Sequence, residues 1–158
     1  MTGLQPREFT WVIAGRLAVA ERVGGSGFQH RRVRREEEIA WLRAAGINTV
    51  LSLLPGNQNL AAYAAGGLKA VHEPLLELEP AAVERVLAVL RALLRDRGVV
   101  LLLHRDTIDD AVAGILAGYL VYSGLVGDPI QATALIQEIL RRPLGPEARA
   151  VIPPVPGA

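Results

Sequence analysis

Four side chains able to bind a cation or move a proton fall within seven residues: His104, Asp106, Asp109 and Asp110. They sit in the run Leu103-His104-Arg105-Asp106-Thr107-Ile108-Asp109-Asp110-Ala111. Hard divalent cations favour carboxylate oxygens, and a bound cation could turn water into a nucleophile. His72 and Glu77 could approach from a neighbouring loop. The spacing matches no metal motif with a stated mechanism, so no metal and no cofactor is assigned. Asp106, Asp109 and Asp110 are the residues a cation would use. A plainer use of the same residues is structural. Thr107-x-x-Asp110 reads as a capping box, the Thr107 hydroxyl accepting from the Asp110 N–H and the carboxylate reaching back. Asp109 adds negative charge at the positive end of a helix dipole. The acidic loop could also dock a basic protein partner, which the sequence does not identify.

The 158 residues include no cysteine, which excludes disulfides, cysteine-ligated zinc and cysteine nucleophiles. The net charge of +1 gives no whole-surface reason to expect nucleic acid. Arg31-Arg32-x-Arg34-Arg35 is the one visible basic cluster, but Glu36-Glu37-Glu38 follows it directly. Aromatics at 4% leave few stacking platforms, so the cluster reads as a solvated, self-compensated face. No apolar stretch is long enough to span a membrane, and Met1 to Phe9 lacks an apolar signal core. The expected setting is cytoplasmic. The 51% hydrophobic content is compatible with self-association but locates no interface.

The elements that must position these residues alternate between short apolar runs and helical periodicity, the pattern of an α/β domain. Trp11–Ile13 and Leu17–Val19 read as a hairpin, followed by the flexible loop Gly24-Gly25-Ser26-Gly27. A helix from near Arg35, with Glu36 to Glu38 in its first turn, buries Ile39 and Leu42 and stops at Gly46. Thr49–Leu54 reads as a strand, Asn59–Ala65 as one or two helical turns, and Leu68–His72 as another strand. Pro80 opens a long helix to about Arg95. Five apolar residues, Val99–Leu103, mark a central strand covered on both faces. Ala111–Tyr122 is a helix apolar almost all round, and a last helix runs from Asp128-Pro129 to about Arg142. The βα order predicts one mostly parallel central sheet flanked by helices on both sides. The expected organisation is a single domain over 1–158, with a core of about 4–142 and an extended C-terminal tail over 143–158. In such folds ligands sit beyond the carboxyl ends of the strands, which points to the loop after His104.

Three stretches carry a family resemblance. The run VVLLLHRDTIDDAVAGILAGYLVYSGL resembles the signature region of small atypical dual-specificity phosphatases, members of the cysteine-based tyrosine phosphatase superfamily. That pattern is an apolar strand, His-Cys-x-x-Gly-x-x-Arg-[Ser/Thr], then a buried helix with Ala-x-Tyr-Leu. His104 falls on the family His, and Ala117-Gly118-Tyr119-Leu120 on Ala-x-Tyr-Leu. Phe9-Thr10-Trp11-Val12-Ile13-Ala14-Gly15-Arg16-Leu17-Ala18 is similar to the family's opening, and Gly46–Leu53 to its Gly-[Ile/Val]-x-x-[Leu/Val]-[Val/Leu]-Ser-Leu strand. The resemblance covers roughly residues 4 to 142 and implies the dual-specificity phosphatase fold.

The departures fall on the chemistry. The nucleophile position is Arg105, the loop Gly is Ile108 and the phosphate-clasping Arg is Ala111. In the family the thiolate attacks phosphorus while backbone N–H groups and the Arg hold the phosphoryl oxygens. Asp106, Asp109 and Asp110 would crowd an anion site, each like-charge contact at ~4–6 Å costing on the order of a kcal/mol. Glu77, three residues past Pro74, takes the general-acid position, but has no nucleophile opposite it. The expectation is therefore a non-catalytic pseudophosphatase acting as a binding or regulatory module. The former phosphate loop (His104, Arg105, Asp106, Thr107, Asp109, Asp110) would be its binding surface. The rival is a metal-assisted hydrolase built on the Asp cluster.

Overall fold

In the computed structural model the described residues are 3–25, 30–56 and 59–153. Their order is β1 (Thr10–Ile13), β2 (Leu17–Ala20), α1 (Arg32–Ala44), β3 (Thr49–Ser52), α2 (Leu60–Ala65) and β4 (Lys69–His72). There follow α3 (Pro80–Arg95), β5 (Leu101–His104), α4 (Asp110–Tyr122), α5 (Pro129–Leu140) and α6 (Pro146–Ala150). The chain forms two compact units, one of residues 1–76 and 96–108, the other of 77–95 and 109–158.

The first unit holds the whole sheet, in the order β1-β2-β5-β3-β4. The β1–β2 pair is antiparallel, and the other three pairings are parallel. Gly15, at φ 72°, takes the left-handed turn that closes the β1–β2 hairpin, where a Cβ would be strained. Register brings Ala20, His104, Ser52 and His72 level at the carboxyl end. Period-2 alternation sends Ala18, Ala20, Val50 and Leu102 to one face, where they form a core with Ile39 and Leu42 of α1 and Tyr63 of α2. On the opposite face Leu17, Val19, Leu51, Leu101 and Leu103 are fully buried as well. Neither face of the central strands meets water, as their unbroken apolar runs require.

Several boundaries shift, β3 ending at Ser52 instead of Leu54 among them, and two of the shifts have a visible cause. β5 begins at Leu101 because Asn48 takes the Val100 N–H on its Oδ1 at 3.0 Å, while the Val100 carbonyl accepts from the Asn48 and Thr49 amides. α1 begins at Arg32, three residues before the expected start, so Glu36 to Glu38 lie past its first turn. The Arg cluster is consequently only in part a solvated face. Arg32 pairs with Glu36 in the open at 3.1 Å. Arg34, by contrast, pairs with Glu38, whose side chain is fully buried and also accepts from the Gly24 N–H at 3.2 Å. Of the predicted glycine loop, Ser26 and Gly27 lie outside the described residues.

In the second unit α4 is the centre. Ala111 through Val121 are all buried, and α3, α5 and α6 pack around them. The predicted extended tail over 143–158 needs correction: Leu144 is buried and residues 146–150 form α6 with Ala148 buried. Gly114 is the reason α6 can dock, since a Cβ there would strike the Val151 side chain and the Ala148 backbone. Pro146 at the first turn starts the helix. Residues 154–158 lie outside the described residues.

Candidate functional site

His104 ends β5 on the face that carries Leu102, so its ring enters the core beneath α1 and α2. It is fully buried, and its Nε2 lies 2.9 Å from the Tyr63 hydroxyl. Its Nδ1 makes no hydrogen bond among the described residues. Burial holds the imidazole neutral, lowering its pKa from 6.5 to about 4 against the opposing effect of the Arg105 backbone, with the Arg22 charge adding to the depression. Burial likewise pushes the Tyr63 phenol up. Asn59, at φ 69°, extends the network: its Nδ2 donates to the Val23 carbonyl at 2.8 Å and lies 3.5 Å from the Tyr63 hydroxyl. Its Oδ1 lies 3.3 Å from His30 Nε2 and accepts from Arg35 Nη1 at 3.3 Å. The imidazole is part of the wall behind the loop.

The loop itself is occupied by bonds to its own chain. Arg105, at the nucleophile position, is half-buried and donates from Nη2 to the Leu75 carbonyl at 2.9 Å. A long cation bonded to backbone stands where a thiolate would be needed. Asp106 is exposed, its carboxylate 3.6 Å from Arg22 Nη1, and its carbonyl accepts from the Arg22 N–H at 3.2 Å. Thr107 is exposed. Ile108 is half-buried and Ala111 buried. No described residue from Arg105 to Ala111 has positive φ, so an isoleucine at the glycine position is unstrained.

The expected capping box is displaced. The N-cap of α4 is Asp109, whose Oδ1 accepts from the Val112 N–H at 3.0 Å. Thr107 lies too early to cap, because the helix begins at Asp110. That residue does not reach back either: its Oδ1 pairs with Arg142 Nη2 at 3.1 Å and lies 3.4 Å from the Gly145 N–H. Asp106, Asp109 and Asp110 therefore each have a separate partner, a guanidinium, an amide and a guanidinium. The anticipated crowding of like charge is answered locally. Among the described residues no three His, Asp or Glu side chains are placed to hold a metal ion. His72 is engaged through Nε2 with the Leu54 carbonyl at 2.8 Å, and Glu77 is an exposed carboxylate beside Leu78 and Glu147. Sequence reasoning missed Tyr63, Asn59, Arg22 and Arg142. Tyr63, Arg22 and Arg142 each lie more than 30 residues from His104, Asp106 and Asp110, their respective partners, and Asn59 reaches His104 only through Tyr63, so no local pattern marks them.

No protein-family model and no curated protein matches the sequence. Solved structures do. A kinase associated phosphatase with its catalytic cysteine replaced by serine superposes with a TM-score of 0.73 at 15% identity, covering 94% of this chain and 93% of that one. The fold is that of the dual-specificity phosphatases. A mouse protein described as a dual specificity phosphatase, solved with zinc tungstate, matches with a TM-score of 0.68 at 16% identity over 96% and 88% of the two chains. TpbA of P. aeruginosa, a cysteine-to-serine variant in complex with pTyr, gives 0.66 at 18% identity over 90% and 82%. On this phosphatase-like fold the present chain carries no cysteine. Among the described residues no helix is long and apolar enough to cross a membrane.

Proposed function

We propose that the protein is a non-catalytic pseudophosphatase, a binding or regulatory module on a dual-specificity phosphatase fold. The observation that carries this reading is the position after the buried His104. There, a chain without any cysteine has Arg105, bonded to the Leu75 carbonyl. A phosphoryl-transfer step by the family route requires a thiolate at that point and a guanidinium at position 111, where the chain has a buried alanine. The loop presents Asp106 and Thr107 to solvent, and a basic protein partner would meet this acidic edge. The reading includes a cytoplasmic setting. The metal-assisted alternative gains no support from carboxylates held by three different partners.

Purified protein is assayed with an aryl phosphate at high concentration, with chelator and with several divalent metals in turn. The expected result is no turnover under any condition. Metal-dependent turnover that disappears in Asp106→Asn or Asp110→Asn would overturn the reading and establish new chemistry at the loop.

A further inference from the structure

In the second unit a groove of about 350 Å³ runs between α3 and the segment that follows α6. Val83 and Leu87 of α3 lie deepest in it, and the half-buried Leu78, Tyr122, Val151 and Ile152 stand around them. α4 comes close at this point, since a Cβ on Gly118 would stand 3.5 Å from Pro153 Cδ and 3.6 Å from Leu87 Cδ2. Seating an apolar side chain here removes apolar surface of both partners from water. The groove also has a charged surround. Glu84 lies on its edge. Leu78, Ala150 and Val151 are shared with an adjoining hollow that carries Glu77 and Glu147. All three carboxylates are exposed, and no basic residue stands three or four positions from any of them. Among the described residues none of the three has an ion-pair partner. Arg91, a cation beside the groove, is placed over the Tyr122 ring, 5.6 Å from its centroid.

An apolar hollow with unpaired carboxylates on two sides is complementary to an apolar side chain flanked by cations. A hollow of this size holds about one or two side chains, fewer than the row of anchors that a docked helix presents. We propose that the groove docks a short extended segment of a partner protein. An apolar residue of that segment sits against Val83 and Leu87, with a Lys or Arg at Glu84 on one side and at Glu77 and Glu147 on the other. The inference rests on the binding-module reading, and it puts the anchor of a basic partner on the second unit, not on the Asp106 edge. The carboxylates alone would select nothing; the apolar groove between them supplies the other half of the recognition. The same charges repel an acidic or phosphorylated segment, which gives the surface a preference opposite to that of a phosphate-binding loop.

The test is fluorescence anisotropy of the labelled synthetic peptide Gly-Lys-Arg-Pro-Leu-Pro-Arg-Lys-Gly, titrated with the full chain. Its prolines hold it extended. Wild type is expected to bind saturably. Serine in place of the peptide's leucine should weaken binding about tenfold. Glu84→Gln combined with Glu147→Gln should weaken it about fivefold, the size of two exposed charge pairs. Ala150→Arg, which puts a cation on the exposed wall of the groove, should lose binding. Glu138→Gln, the same change of charge on an exposed position of α5 outside the groove, should bind as wild type does. Absence of saturable binding would overturn the proposal, as would an equal loss in Glu138→Gln or a serine peptide that binds as tightly as the leucine one. A loss confined to Asp106→Asn would move the contact to the loop, overturning the groove while leaving the binding-module reading standing. Two other occupants would also overturn it. A second copy would show as a wild-type dimer in sedimentation that Ala150→Arg dissociates. The chain's own C-terminus would show as peptide binding only after removal of residues 154–158. None of these readouts involves hydrolysis, so failure here and turnover of an aryl phosphate are separate results.

Discussion

The wall behind the loop and the loop itself have had different fates. Behind it, His104 stands where the resembling family has its histidine, buried at the end of β5 and 2.9 Å from Tyr63. In front, Arg105, Ile108 and Ala111 stand at the positions of the family's nucleophile, loop glycine and phosphate-clasping arginine, and Arg105 bonds to the Leu75 carbonyl. The wall is under the control of packing: a neutral imidazole, a phenol and an amide share one network at the bottom of a core. Replacing one member strands the others. The loop side chains answer to no such constraint, so the fold tolerates their replacement.

The largest consequence sits in the wall. In the unfolded chain His104 titrates at its ordinary 6.5, whereas the folded protein protonates it only near pH 4. As pH falls below 6.5 the unfolded chain gains a proton that the folded chain excludes, and stability is lost until pH reaches the folded value. The loss amounts to about 3 kcal/mol. Denaturant unfolding across this range should show a steeper decline for wild type than for His104→Gln, and parallel profiles would contradict the assignment. Next in size, Tyr63→Phe removes only a hydroxyl yet should cost about 1–3 kcal/mol, since it leaves buried polar atoms unpaired. A neutral result would mean the network contributes nothing.

Smaller effects belong to the loop. Asp109→Ala should cost about 1 kcal/mol as a lost N-cap, while Thr107→Ala should change stability by under about 0.5 kcal/mol. Urea midpoints for the two variants check this directly, and the reverse order would restore Thr107 as the cap. Asp110→Asn should cost at most about 1 kcal/mol, because both it and Arg142 are partly exposed. Thermal unfolding of Asp110→Asn alone and combined with Arg142→Gln would expose any larger coupling.

Much of this was legible in the residues. The alternation of Leu17 to Ala20 and the solid run ending at His104 place the strands, and α3 spans Pro80–Arg95 as its apolar stripe predicts. The signature around His104 gives the fold because it joins a strand, a loop and an apolar helix at fixed distances. The pairing of side chains was not legible. Arg22 meets Asp106, Tyr63 meets His104 and Asp110 meets Arg142 across long stretches of chain, and any arginine could have served as well from sequence alone. The cap was misplaced by two residues because Thr107 and Asp109 are both good cap residues, and only the start of α4 at Asp110 decides between them. α6 was missed because five residues are too few for a helical period to register.

The central claim is that this phosphatase-like fold turns over no phosphate ester. The direct measurement is phosphate release from an aryl phosphate over long incubation, comparing folded protein, with and without added divalent metal, against the same protein held unfolded in denaturant. The account predicts that folded and unfolded samples match the protein-free rate. Release above that rate which vanishes on unfolding and returns on refolding would contradict it.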